Sequence, residues 1–216
     1  MTTFSHQGAR PVLSEALLPS EGTALWIKRA VLVMAGVAAL AVAAKIKVAL
    51  WPSPVPITLQ TFVVLTVGAA YGPRLGLVTI FGYLLIGAIG FDVFTGSSAE
   101  KNGIAYMMGG TGGYLLGYLL STLALGYFAR RGWDRNVLLM AVAMLVGTAL
   151  IYIPGVFWLQ EVIVAGGMFD AQAFGSIWQQ TLTWGLTPFL IGDAIKLALA
   201  ALLLPAMWKL VGSARG

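Results

Sequence analysis

The chain has 216 residues, of which 59% are hydrophobic and 10% charged, with no cysteine and a formal net charge of +5. A soluble domain carries about 25% charged residues, so composition excludes that class, and the missing cysteines exclude disulfides and thiolate metal sites. The mean hydropathy of +0.88 leaves room for one domain of roughly six spans at about 20 residues each.

Residues 1–28 read as a polar N-terminal tail. It holds the single histidine, His6, together with Pro11, Glu15, Pro19 and Glu21, and it lacks the basic-then-apolar order of a secretory leader. Lys28-Arg29 introduces the first apolar run. Span one is expected over Ala30 to Leu50, with Ala35, Ala39 and Ala43 at four-residue spacing. Such a small-residue stripe lets another helix approach; pattern alone leaves open whether that helix belongs to the same bundle or to a partner protein. The prolines of Trp51-Pro-Ser-Pro-Val-Pro56 cannot continue a helix. This segment reads as an ordered outer loop, leading into Thr58 and Gln60 as candidate polar contacts beneath a lid.

Spans two (Ile57 to Tyr71) and three (Leu75 to Gly90) flank a tight turn at Gly72-Pro73-Arg74. Phe91 to Gly103, which includes Asp92 and Asn102, reads as an outer loop. Span four, Ile104 to Phe128, opens with Tyr106 and the run Gly109-Gly-Thr-Gly-Gly113, where bare backbone approaches either a ligand or another helix. Arg130 to Arg135 form an inner loop. Span five is expected over Val137 to Leu159 and carries Trp158 near its outer end. A long outer connection, Gln160 to Trp184, contains an interfacial helix, and span six runs from Gly185 to Trp208.

With the N-terminus inside, nine Lys and Arg residues fall on the inner side against Lys45, Lys47 and Lys101 on the outer side. That bias is the positive-inside signature. The net positive charge is therefore a topology signal, and no nucleic-acid partner is expected. Both termini are expected in the cytoplasm, with residues 29–210 as the membrane domain and 211–216 as a short tail.

Asp193 and Lys196 are the most informative residues. They lie in an otherwise apolar span, where an ionised group costs on the order of 3 kcal/mol, and positions i and i+3 share a helix face. Two readings stand: a ligand site, or a neutralised ion pair that fixes helix packing. Counting from Gly185, Asp193 is expected about 12 Å below the outer end of the span. Gly192-Asp193 also echoes an intramembrane aspartyl protease, but that chemistry needs two carboxylates sharing a proton, and Asp92 falls in a loop. No GxxxxGK[ST] phosphate loop is present, and no catalytic residue, cofactor or metal site is expected.

The segments Pro54-Val-Pro-Ile-Thr-Leu-Gln-Thr61, Tyr71-Gly-Pro-Arg-Leu-Gly76, Leu85-Ile-Gly-Ala-Ile-Gly90, Thr111-Gly-Gly-Tyr114 and Gly192-Asp-Ala-Ile-Lys196, in that order, resemble the BioY family. This is the biotin-specific S component of energy-coupling-factor vitamin transporters. The resemblance implies an all-α, six-helix membrane bundle in the cell membrane, with biotin held in an outward-facing pocket. It implies that Asp193 and Lys196 bind biotin; Thr58, Gln60, Gly112, Gly113, Asn102, Tyr106 and Trp158 are further candidate contacts from their own positions, with connector, helix-packing and interfacial-anchor roles as the alternatives. It also implies that Ala35, Ala39 and Ala43 dock a transmembrane coupling subunit driven by two ATPases. Gly110 stands where the family often has proline. An S component for another vitamin, or a passive carrier, remains the alternative.

Overall fold

The structure, a computed structural model, describes residues 10–17, 21–48, 51–97 and 102–213. His6, Lys101 and Arg215 lie outside them. Eight α-helices follow in order: α1 (Leu13–Leu17), α2 (Gly22–Lys45), α3 (Gln60–Ala88), α4 (Gly103–Met107), α5 (Gly112–Arg130), α6 (Val137–Ala165), α7 (Ile177–Gly185) and α8 (Leu190–Ser213). Two short antiparallel strands, β1 (Lys47–Val48) and β2 (Ile57–Thr58), pair Lys47 with Thr58 and Val48 with Ile57.

Among the described residues, five helices are long and apolar enough to cross a membrane, and one of them, α3, is a hairpin. Gly72 has φ of +77°, a backbone conformation that only glycine adopts without strain, and Pro73 starts the second arm with its pre-set φ. Gln60 donates to the Tyr83 hydroxyl, and a Cβ at Gly76 would lie 3.6 Å from the Cα of Gly68. In an uninterrupted helix residues 60 and 83 would be about 35 Å apart. The bundle therefore has six rods: α2, the two arms of α3, α5, α6 and α8.

Several expected limits shift. Span one begins at Gly22 and ends at Lys45; Lys28 and Arg29 lie inside the helix, about two turns from its start, as long basic side chains can when their charged heads reach water. Span four begins at Gly112; the glycines at 109 and 110 separate it from the short α4. Span five continues to Ala165. The stretch expected to start span six is divided between α7 and a 3₁₀ turn over Thr187–Phe189 containing Pro188, so α8 starts only at Leu190. The N-terminal segment is not wholly a polar tail, since Val12, Leu13, Ser14 and Ala16 are buried and Glu15 pairs with Arg130.

Helix α5 stands at the centre, between α3 and α6. Gly113 and Gly117 lie one turn apart on it and face the backbone of α6. A Cβ at Gly117 would fall 2.6 Å from the Cα of Ile151, and one at Gly113 would collide with the Pro154 carbonyl. Asn136 caps α6 by accepting from the N–H groups of Leu138 and Leu139, and Ser176 caps α7 by accepting from Gln179.

Candidate substrate-binding site

At the end of the bundle away from the Arg130–Arg135 loop, α3, α5, α6 and α8 splay around a cavity. It encloses about 550 Å³ of atom-free space, including its mouth. The Pro-rich loop contributes Val55 and Pro56, and the loop after α3 contributes Phe94 and Thr95. Below them the wall is aromatic and polar: Tyr106, Tyr114, Tyr118 and Tyr152 surround Thr58, Gln60, Thr61, Asp193 and Lys196.

Asp193 and Lys196 form an ion pair with Nζ 2.8 Å from Oδ1, and both side chains are about nine-tenths buried. Thr61 bridges them, with its hydroxyl 3.4 Å from Oδ1 and 3.2 Å from Nζ. Tyr152 donates to Oδ2. Oδ1 thus has two partners, Lys196 and Thr61, while Oδ2 has one and retains a further lone pair; two of the three Lys196 N–H groups are engaged. Because α8 starts at Leu190, Asp193 lies in its first turn. It is nearer the helix end than the expected 12 Å, for Pro188 breaks the chain above it.

Gln60 is buried and fixed from two sides. Its amide donates to Tyr83, and its carbonyl accepts from Tyr118 at 3.2 Å. Tyr83 donates onward to the Val93 carbonyl at 3.0 Å. The Tyr114 hydroxyl donates to the Gly185 carbonyl at 2.8 Å, which ties α5 to α7.

The loops over the cavity are clasped by the end of α2. Thr95 donates to the Ala44 carbonyl at 3.0 Å, Lys45 donates to the Phe94 carbonyl at 2.9 Å and pairs with Asp92 at 2.6 Å, and Leu59 donates to the Ile46 carbonyl at 3.2 Å. Hydrogen bonds from Lys45 and then Ser97 hold the Asp92 carboxyl below its ordinary range. On the other side Ser53 donates to the Trp184 carbonyl at 2.8 Å.

Of the residues expected at the site, Thr58, Gln60, Tyr106, Asp193 and Lys196 line this cavity. Gly112, Gly113, Asn102 and Trp158 do not. The two glycines press against Met107, Pro154 and Trp158, Trp158 donates to the Gly109 carbonyl at 2.9 Å, and Asn102 precedes α4 at its N-cap. The alanine stripe also divides: Ala43 is buried in the bundle while Ala35 and Ala39 are exposed, because four-residue spacing drifts about 40° per step around a helix of 3.6 residues per turn. The cavity wall also includes Thr61, Tyr114, Tyr118 and Tyr152, which are not among the expected contacts. Thr61 and Tyr114 end two of the segments that carry the family resemblance, whereas Tyr118 and Tyr152 show in the sequence only as polar atoms within spans.

The model of the BioY family matches residues 14–213. The chain belongs to the BioY family. The "Probable biotin transporter BioY" of Pyrococcus horikoshii is 34% identical over 176 residues, covering 82% of this chain and 93% of that protein. The "Biotin transporter BioY" of Thermotoga maritima is 32% identical over 157 residues, covering 73% and 83%. Among solved structures, the S-component for biotin from an ECF-type ABC transporter superposes with a TM-score of 0.72 at 21% identity, covering 88% of this chain and 95% of that one. That likeness establishes the fold of this BioY-family chain, an all-α membrane bundle.

Proposed function

We propose that this chain is a biotin-binding membrane subunit that mediates biotin uptake. The observation that carries the reading is the Asp193–Lys196 pair, bridged by Thr61 and set in the wall of the cavity, in a member of a family whose relatives are named biotin transporters. A cyclic urea places an N–H donor next to a carbonyl acceptor. An Asp oxygen beside a Lys ammonium, 2.8 Å apart, offers the complementary acceptor and donor, and the pair stays neutral without ligand. The ends of biotin are roughly a nanometre apart, whereas i and i+3 rise only about 4.5 Å along a helix. The pair therefore receives one end of the molecule, the ureido ring, and the apolar body lies among the tyrosines.

Calorimetric titration of the detergent-solubilised protein tests this, with thiamine and riboflavin as controls. Biotin alone is expected to bind. Asp193→Asn and Lys196→Ala are each expected to weaken binding about 10- to 100-fold, the range for losing a charge-assisted hydrogen bond. If both variants bound as the wild type does, the pair would be a packing device and the site assignment wrong.

The positive-inside bias supports a cell-membrane orientation with both termini in the cytoplasm and the cavity opening outward. The chain has no phosphate-binding loop, and on this reading energy comes from a transmembrane coupling subunit with two ATPases. The exposed Ala35 and Ala39 face of α2 is the proposed docking surface. Ala39→Trp is expected to abolish co-purification with that subunit while biotin binding survives; undiminished co-purification would remove the assignment.

A further inference from the structure

Helix α2 is packed along only half its length. Leu25, Arg29, Val33, Gly36, Leu40 and Ala43 follow one another at three- and four-residue spacing and so share one face. Gly36, Leu40 and Ala43 are buried, but Leu25 and Val33 are only half-buried and Arg29 is exposed. Towards its N-terminus α2 thus stands off the second arm of α3, and a wedge-shaped groove opens between them.

The groove has about 1480 Å³ of atom-free space, open to the surroundings, and α1 forms its floor. One part of the wall is apolar: Leu32, Val33 and Met34 from α2 face Leu75 and Val78 from α3. The other part carries Lys28, Arg29, Arg74 and Arg130, and among the described residues lining it the one carboxylate is Glu15. Glu15 is already bound by both terminal nitrogens of Arg130, which leaves the groove with a surplus of positive charge. Trp26, 69% exposed, lies under the Arg29 guanidinium at 5.4 Å. Exposed tryptophan beside arginine marks the level of the lipid headgroups.

We propose that this groove is a binding site for one anionic phospholipid, independent of the biotin reading. The phosphate headgroup lies between Arg29 and Arg74, and an acyl chain runs along Met34 and Val78. The geometry matches what such a lipid presents. An amphipathic cleft between membrane helices has its cations at the interface and its apolar walls directed into the hydrocarbon, over about 12 Å between Trp26 and Met34. A zwitterionic lipid would fill the apolar part equally well but would gain less from the cations.

The test is native mass spectrometry of the full chain in detergent, with equimolar phosphatidylglycerol and phosphatidylcholine of matched acyl chains. The wild type is expected to retain one phosphatidylglycerol with a preference on the order of tenfold, since each interfacial cation contributes several-fold. Arg29→Gln with Arg74→Gln is expected to remove the preference while biotin binding is unchanged. Val78→Trp, which fills the apolar part and keeps every charge, is expected to reduce retention of both lipids. Equal retention by the wild type, or a preference that survives the double substitution, overturns the proposal. A double variant that keeps its lipid preference but loses the coupling subunit would give the groove to a protein partner instead.

Discussion

Asp134 is fully buried at the end of the bundle opposite the cavity. Its Oδ2 accepts from the Trp208 indole, which fastens α8 to the loop between α5 and α6, while Oδ1 has no hydrogen-bond partner. Burial raises the carboxyl above its ordinary value, and this outweighs the opposing Trp208 hydrogen bond and the nearby Arg135 and Arg10. A carboxylate raised in the folded state stabilises below its unfolded pKa of about 3.9, and that stability is lost as pH rises through the folded value. Asp134→Asn keeps an acceptor for Trp208 and removes the buried charge. It is expected to match or exceed the wild type in thermal stability at pH 7 and to lose that advantage near pH 4. Asp134→Ala, which strands the indole, is expected to cost about 1–3 kcal/mol. Melting curves in detergent at both pH values decide; an Asn variant as unstable as the Ala variant would mean that the negative charge itself is needed.

At the scale of elements, the sequence is legible where the signal is one-dimensional and opaque where packing decides. Asp193 and Lys196 are visible because two charges in an apolar span have few explanations, and the Gly72-Pro73 turn because no helix runs through that pair undisturbed. Tyr118 and Tyr152 carry no such signal, because a tyrosine in a span is equally at home in a core. Only the rotation of α5 and α6 about their axes turns Tyr118 towards Gln60 and Tyr152 towards Asp193. The glycine run shows the converse. Its pattern fits ligand approach and helix contact alike, and in the structure Gly113 joins Gly117 in seating α5 on the α6 backbone. Small residues of this kind drive helix association in membranes by letting backbones approach. Gly117→Leu is therefore expected to destabilise by about 1–3 kcal/mol through overpacking and to weaken biotin binding indirectly, because α5 carries Tyr114 and Tyr118. The same substitution at Gly192, where an added Cβ meets nothing within 4 Å, is expected to leave thermal stability nearly unchanged. Equal effects at the two positions would refute the packing argument.

Across the whole molecule, α2 holds a position unlike that of the other rods. It packs principally on α3, yet its C-terminal end fastens both loops that roof the cavity through Ala44, Lys45, Ile46 and Lys47. Movement of α2 relative to the bundle thus reaches the roof directly, without passing through the central helix α5. The Lys45–Asp92 pair is well exposed, and exposed pairs contribute only about 0–1 kcal/mol to stability. Lys45 also holds the Phe94 carbonyl, and Phe94 stacks on Tyr106 at a centroid distance of 5.0 Å, so the expected effect of losing Lys45 is on ligand release. Lys45→Ala is expected to change the melting temperature by no more than about 2 °C while biotin dissociation accelerates several-fold. Asp92→Ala, which leaves the bond to Phe94 in place, is expected to accelerate it less. Stopped-flow release of a fluorescent biotin analogue measures both rates. Unchanged release from the Lys45 variant would mean that the roof opens independently of α2 and that a partner bound to α2 must reach the ligand by another path.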